Sequence, residues 1–223
     1  MFHPDSRLMR ILTMVAAFVA LNLLWLLCSV PVVTAGASTA AMYTVTRRIA
    51  RREDPSVVPE FFRAFGSNFR QAFPATLIFL VPALLVLFYL FVSLPEALGS
   101  VPWFRPLCWI AIGIICVVCS YVWPLIAWFD NSLGNTLKNA ILLPVSNPLI
   151  ALCVTALNLI PVFLLREDAS LFLRLSFFWV AAGCSLTAFV NTQLLRFQFR
   201  RFLPEDEFVR PERNEQNTDD TEE

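Results

Sequence analysis

The chain has few charged residues, few glycines and a single histidine, and each shortage excludes a class of protein. Only 15% of its 223 residues are charged and 57% are hydrophobic, which is the composition of an integral membrane protein rather than of a soluble domain. Its six glycines are never closer than 14 residues apart, which excludes a phosphate-binding glycine loop. The one histidine, His3, cannot complete a zinc site or a membrane-embedded serine–histidine pair. We therefore expect no cofactor and no metal.

Five apolar runs are long enough to cross a bilayer as α-helices, which takes about 20 residues. They are residues 11–33, 73–94, 107–129, 140–165 and 175–195. Trp103 and Trp128 lie near span ends, where we expect them to act as interfacial anchors. The first run exceeds the roughly 7 to 15 residues of a signal-peptide core, so we expect it to remain as a membrane helix. The sequence thus predicts an all-α polytopic membrane helix bundle over residues 1–203, followed by a disordered acidic tail over 204–223.

The basic residues indicate an orientation, because Lys and Arg are retained in the cytoplasm. With five spans, 12 of the 17 basic residues fall on one side and 5 on the other. This distribution predicts the N-terminus outside and the C-terminus in the cytoplasm. The outer loops, 95–106 and 166–174, are then too short to form a binding domain.

The cytoplasmic segment 34–72 is predicted to be helical and amphipathic, and its first part, residues 34–52, is either interfacial or re-entrant. Thr34 is a suitable N-cap for a helix that ends in the arginines at 47–52, and a second helix opens near Pro59. In that second helix five phenylalanines recur at helical spacing, while Arg63, Ser67, Arg70 and Gln71 face away; the phenylalanines are Phe61, Phe62, Phe65, Phe69 and Phe73. Such a helix either lies in the membrane interface or docks a partner subunit.

Titratable groups are almost absent from the five runs. No charged residue lies in the middle third of any of them, which argues against proton-coupled transport. The neutral residues Asn22, Asn158 and Asn191 are expected to form hydrogen bonds between helices, with a polar pathway as the alternative.

Several runs of residues resemble the YesL-like family of bacterial membrane proteins. The resemblance lies in residues 21–25 (LNLLW), 29–36 (SVPVVTAG), 40–43 (AAMY), 61–65 (FFRAF), 68–72 (NFRQA), 121–130 (YVWPLIAWFD) and 138–140 (KNA). It implies a protein of the bacterial cell membrane with no assigned biochemical function, often encoded near sugar-uptake permeases. It implies no catalytic residues.

The sequence favours a non-enzymatic accessory or assembly factor of a membrane complex. Small-molecule transport is the first alternative and a membrane-embedded enzyme the second. The expected partners are the lipid bilayer and a sugar-transport permease or another membrane protein, and no nucleic acid is expected. The predicted contact residues are Phe62, Arg63, Phe65, Phe69 and Arg70, together with Asp130 and Asn131 as caps of the helix that carries Lys138.

Overall fold

The computed structural model describes residues 7–53, 56–91, 103–167, 169–200 and 202, and every element within these ranges is helical. The helices are α1 (Arg7–Ser29), α2 (Ala35–Ala50), α3 (Val57–Phe91), α4 (Phe104–Trp128), α5 (Leu133–Ser146), α6 (Pro148–Glu167), α7 (Ala169–Phe178) and α8 (Cys184–Phe199). A 3-10 turn (Val32–Thr34) leads into α2, and a π-helical turn (Trp179–Gly183) joins α7 to α8. The predicted tail and His3 lie outside the described residues.

Helix α1 and helix α2 form a tight antiparallel hairpin. Near the turn, the Ser29 and Ser38 hydroxyl oxygens are 3.1 Å apart. Farther from the turn, Trp25 Nε1 donates to Thr39 Oγ1 at 3.0 Å. The predicted helix after Thr34 is therefore present, but it folds back along α1. The Thr34 hydroxyl does not cap it; that hydroxyl instead donates to the Cys28 and Pro31 carbonyls.

Helix α2 also lies against α3 and α8. It is antiparallel to α3, because Asn68 Nδ2 meets Thr44 Oγ1 at 3.5 Å while Glu60, nearer the start of α3, pairs with Arg48, nearer the end of α2. It is parallel to α8, since Thr46 lies 3.1 Å from Thr192, oxygen to oxygen. Ten of its 16 residues are buried, so α2 is the centre of the bundle rather than an interfacial helix.

Helix α1 runs antiparallel to α8. Phe18 packs edge-on against Phe189. Asn22, one turn farther along α1, donates to the carbonyl of Val180, which comes earlier in the chain than Phe189. The beginning of α1 and the end of α8 therefore lie at the same end of the bundle, which we call the basic end. Helix α2 also finishes there, because Arg196 Nη1 of α8 donates to the Ala50 carbonyl at 2.9 Å. This arrangement departs from the prediction, which put the two ends on opposite sides.

Within the part of the chain that the structure describes, five helical segments are long and apolar enough to cross a membrane, as predicted. They are Ile11–Ser29, Val57–Tyr89, Pro106–Trp128, Pro148–Arg166 and Leu173–Phe199. The second is part of α3, whose 35 residues span about 50 Å, against about 30 Å for the bilayer core. The predicted amphipathic helix is therefore not separate but forms the first turns of this long helix.

Two predicted spans have wrong boundaries, and proline explains both. The residue before a proline is biased away from helical backbone. The first span ends at Ser29, before Pro31, instead of continuing to residue 33. The fourth was predicted to begin at residue 140, but Asn147 is non-helical (φ −142°, ψ 77°) and a new helix begins at Pro148. The predicted outer loop 166–174 is mostly helical, since α6 ends at Glu167 and α7 begins at Ala169.

Small residues allow α2 to occupy the centre. Ala37, Ala40 and Ala41 are fully buried, and small side chains let helix backbones approach closely. At Gly36 the approach is tightest, because a Cβ atom there would overlap Thr76 Oγ1 and the Trp123 ring.

We expect Gly36→Ala to destabilise the bundle by about 1–3 kcal/mol, since it inserts a methyl group into a filled contact. Gly66→Ala is the matched control: Gly66 also lies in a helix, and nothing would contact its added Cβ within 4 Å. That control should be neutral or stabilising by up to about 1 kcal/mol. Unfolding of the purified variants in detergent measures both. Equal stability of the two variants would contradict the close packing of α2.

Candidate functional site

The basic end is held together by ion pairs between α2 and the start of α3. Arg48 pairs with Glu60 at 2.6 Å and with Glu53 at 2.9 Å, and Arg51 pairs with Glu53 at 3.0 Å. The hydrogen bonds that the Arg48 guanidinium donates, first to Glu60 and then to Glu53, raise its pKa, although partial burial opposes the shift. The arginine cluster is therefore partly neutralised within the protein.

The chain leaves α2 through a Schellman motif. The amide of Glu53 donates to the Arg48 carbonyl and that of Arg52 to the Ile49 carbonyl, both at about the usual hydrogen-bond length. This geometry needs a left-handed residue, which is Arg52 with φ 63° rather than the glycine that usually occupies the position. The turn ends α2 shortly before α3 begins at Val57.

Most of the predicted phenylalanine row is internal. Phe61 is fully buried, and Phe65 and Phe69 pack against the buried clusters between α2, α3 and α4. Phe62 is different, with 51% of its surface exposed, and so is the neighbouring Arg63, whose side chain is 77% exposed. Of the predicted aromatic contact residues, Phe62 is thus the one that presents a free surface.

The loop before α5 is brought against α3. Gln71 Nε2 donates to the Asn131 carbonyl at 3.0 Å and to Thr136 Oγ1 at 2.9 Å, so Asn131 lies beside the turn that carries exposed Arg70. Gln71 was expected to face away and does not. The predicted capping role is also wrong: Ser132 caps α5 by accepting from the Asn135 amide, and Asp130 and Asn131 precede it.

Trp128 was expected to anchor the protein in the interface, but it is 7% exposed and belongs to the core. The Arg47 guanidinium lies over its ring, 5.3 Å from the centroid, and also donates to its carbonyl at 3.2 Å. A cation–π contact is worth about 0.5–1 kcal/mol at an exposed site and about 2 kcal/mol when desolvated, and Arg47 is half-buried. These two contacts of Arg47 with Trp128 hold α2 against α4. Trp103, the other expected anchor, is exposed.

Neutral amides connect four helices in the middle of the bundle. Asn191 Nδ2 donates to the Asn158 amide oxygen at 2.9 Å and to the Tyr43 hydroxyl at 3.2 Å. Asn158 in turn donates to the Ser120 hydroxyl at 3.1 Å. The expected interhelical hydrogen bonds of Asn158 and Asn191 are therefore present. Among the described residues, the buried Asn191 Oδ1 atom has no hydrogen-bond partner.

A cavity of about 350 Å³ lies beside this network. Its wall includes Tyr43, Asn158 and Ser120 of the network, and Trp25, Trp123 and Trp179 supply three large rings. No sequence pattern pointed to this cavity, since its lining comes from α1, α2, α4, α6, the π turn and α8. The signals available in the sequence were the three isolated asparagines, which were read as structural.

The π turn shapes one side of the cavity. A π turn displaces the helical hydrogen-bond pattern, and such turns are frequent at functional sites. Asn22 satisfies this one from α1: its Nδ2 donates to the Trp179 and Val180 carbonyls at 3.0 and 2.7 Å, and its Oδ1 accepts from the Ser185 amide at 2.9 Å. One side chain thus fixes the irregular backbone that presents Trp179 to the cavity.

Comparison with known proteins finds one family model that matches part of the chain. Residues 18–92 match the model of a family described as a protein of unknown function, DUF624. The match covers about a third of the chain and supports an uncharacterised family. It contains the second half of α1 and all of α2 and α3, which is the part that organises the bundle. No curated protein and no solved structure matches the chain.

We expect Asn22→Leu to destabilise the π turn by about 1–3 kcal/mol, because it leaves buried backbone groups without partners. Amide hydrogen exchange should accelerate at residues 183–188 in particular. Asn135→Leu, at an exposed position of α5, is the control and should leave that exchange unchanged. Equal protection of residues 183–188 in both variants would show that Asn22 does not hold the turn.

Proposed function

We propose that this protein is a non-enzymatic accessory or assembly factor of a complex in a bacterial cell membrane, and that it docks its partner through the basic end. The observation that carries the proposal is the exposed pair Phe62 and Arg63 at the start of α3. An exposed aromatic side chain beside an exposed arginine has the composition of interaction hot spots. The neighbouring phenylalanines pack inward, so this pair is not needed for the core.

The partner we propose is another integral membrane protein, and a sugar-transport permease is the candidate. Its support is the resemblance of residues 21–43, 61–72 and 121–140 to the YesL-like family, which we propose as the identity of the uncharacterised family. Arg70, Asp130 and Asn131 would border the contact, since Gln71 ties the loop at 131 to α3.

We also propose that the basic end faces the cytoplasm and carries both chain ends. After α1, helix α2 returns the chain to that end, so the five long apolar helices and α2 together make six passages through the bundle. With the start of α1 and the end of α8 together, every basic residue that the structure describes belongs to that end except Arg105, Arg166 and Arg174. With both ends in the cytoplasm, the excess of Lys and Arg on the cytoplasmic side is larger than with the ends on opposite sides. Arg7 and Arg10 then also follow the rule that positive residues are retained in the cytoplasm. The proposal replaces the expected outside N-terminus, while the cytoplasmic C-terminus is kept.

Reporter fusions test this orientation. Alkaline phosphatase is active only outside the cytoplasm, so fusions at either chain end should be inactive, and a fusion at Gly99 should be active. Fluorescent-protein fusions at the two ends should both be bright. An active phosphatase fusion at the N-terminus would contradict the proposal and restore the opposite placement of the ends.

Co-purification tests the docking role. In Phe62→Ala/Arg63→Ala, we expect the main membrane protein that co-purifies with the wild type to fall by about tenfold, because a hot-spot pair contributes about 1.4 kcal/mol or more. The control is Arg174→Ala/Phe177→Ala, which removes the same residue types from exposed positions in α7, far from the basic end.

Both variants should express and migrate as the wild type does. The proposed docking surface would be overturned if Phe62→Ala/Arg63→Ala still recovers the partner at wild-type yield. It would also be overturned if both variants lose the partner equally. Phe65→Ala/Phe69→Ala is unsuitable for this test, because those rings pack against the core.

A further inference from the structure

We propose that the cavity between α2, α4, α6 and the π turn binds an uncharged, lipid-soluble amphiphile that carries a hydroxyl or carbonyl group. The volume of about 350 Å³ is within the usual range of small-molecule sites. This site is separate from the basic end, so the proposal does not rest on the docking role.

The lining restricts the charge of the ligand. No Asp, Glu, Lys, Arg or His is among the described residues that line the cavity. Moving an unpaired charge out of water into such surroundings costs many kcal/mol, so a charged ligand would be excluded. The rings of Trp25, Trp123 and Trp179 instead offer broad apolar surfaces.

The same lining supplies a place for one polar group. Tyr43, Asn158 and Ser120 all line the cavity. Their hydroxyl and amide groups are joined by hydrogen bonds, those of Tyr43 and Asn158 through Asn191 and those of Asn158 and Ser120 directly. Each hydroxyl oxygen has two lone pairs and the Asn158 amide has two hydrogens, so these groups can bond a ligand as well as their neighbours. A hydroxyl or carbonyl is the group that matches this set without adding charge.

The position of the opening favours a ligand from the bilayer. Leu159 lines the cavity and is 38% exposed, so the cavity reaches the outer surface of the bundle along α6. That part of α6 lies in the middle of an apolar segment long enough to cross the membrane. In a bilayer this surface faces hydrocarbon, and the long apolar tail of an amphiphile could remain there while its polar end enters.

Photolabelling tests the site in the full-length protein in lipid nanodiscs. The probe is octadecanol carrying a diazirine, and the competitors are unlabelled octadecanol and ionised stearate. Labelling should concentrate on residues 116–123, 157–161 and 179–188, and octadecanol should compete while stearate does not. Cys116→Phe fills the cavity from α4 and should reduce this labelling by about tenfold. Ile114→Phe, at an exposed position on the same helix, should not.

Leu157→Phe fills the cavity from α6 and provides a second test if Cys116→Phe does not fold. Three results would overturn the proposal. They are labelling spread evenly over the exposed apolar faces of the bundle, competition by stearate equal to that by octadecanol, and wild-type labelling in a folded cavity-filling variant.

Discussion

The burial of α2 is the constraint on which the rest of the structure depends. This helix carries serine, threonine, tyrosine and arginine residues that would be unfavourable in hydrocarbon without partners. Its small residues let α1, α3, α4 and α8 surround it, and its polar side chains bond within that shell. The three longest neighbouring helices therefore contact a polar, close-packed helix on the inside and present apolar residues on the outside.

The sequence predicted the helical class and the number of long apolar helices because both follow from hydropathy alone. It did not predict that α2 is buried in the centre of the bundle. A helix of alanine, threonine and arginine also fits the membrane interface when its neighbours are unknown. The same ambiguity affected Phe65, Phe69 and Trp128. A row of aromatics beside arginines fits a lipid interface and an internal helix contact equally well until the facing helix is known.

The proposed sites differ in how far they could be seen from sequence. Phe62 and Arg63 belong to a pattern that marked α3 as amphipathic, although the pattern could not separate the exposed ring from its buried neighbours. The cavity depends on residues from positions 25 to 188, so it exists only after the chain has folded. Asn22, Asn158 and Asn191 were expected to bond between helices, but their common location around one cavity and one π turn is a property of tertiary structure.

The most direct measurement of the central position of α2 is a disulfide cross-link between α2 and α8. In a variant whose six native cysteines are replaced, Thr46→Cys and Thr192→Cys would place two thiols where the native hydroxyl oxygens are 3.1 Å apart. Mild oxidation in native membranes should join them rapidly and leave few thiols to alkylate. Thr76→Cys with Thr192→Cys is the control and should remain reduced, because Thr76 lies beside Gly36, about 15 Å from Thr46 along α2. A Thr46–Thr192 cysteine pair that stays fully alkylated after oxidation, in a protein that folds, would contradict the central position of α2.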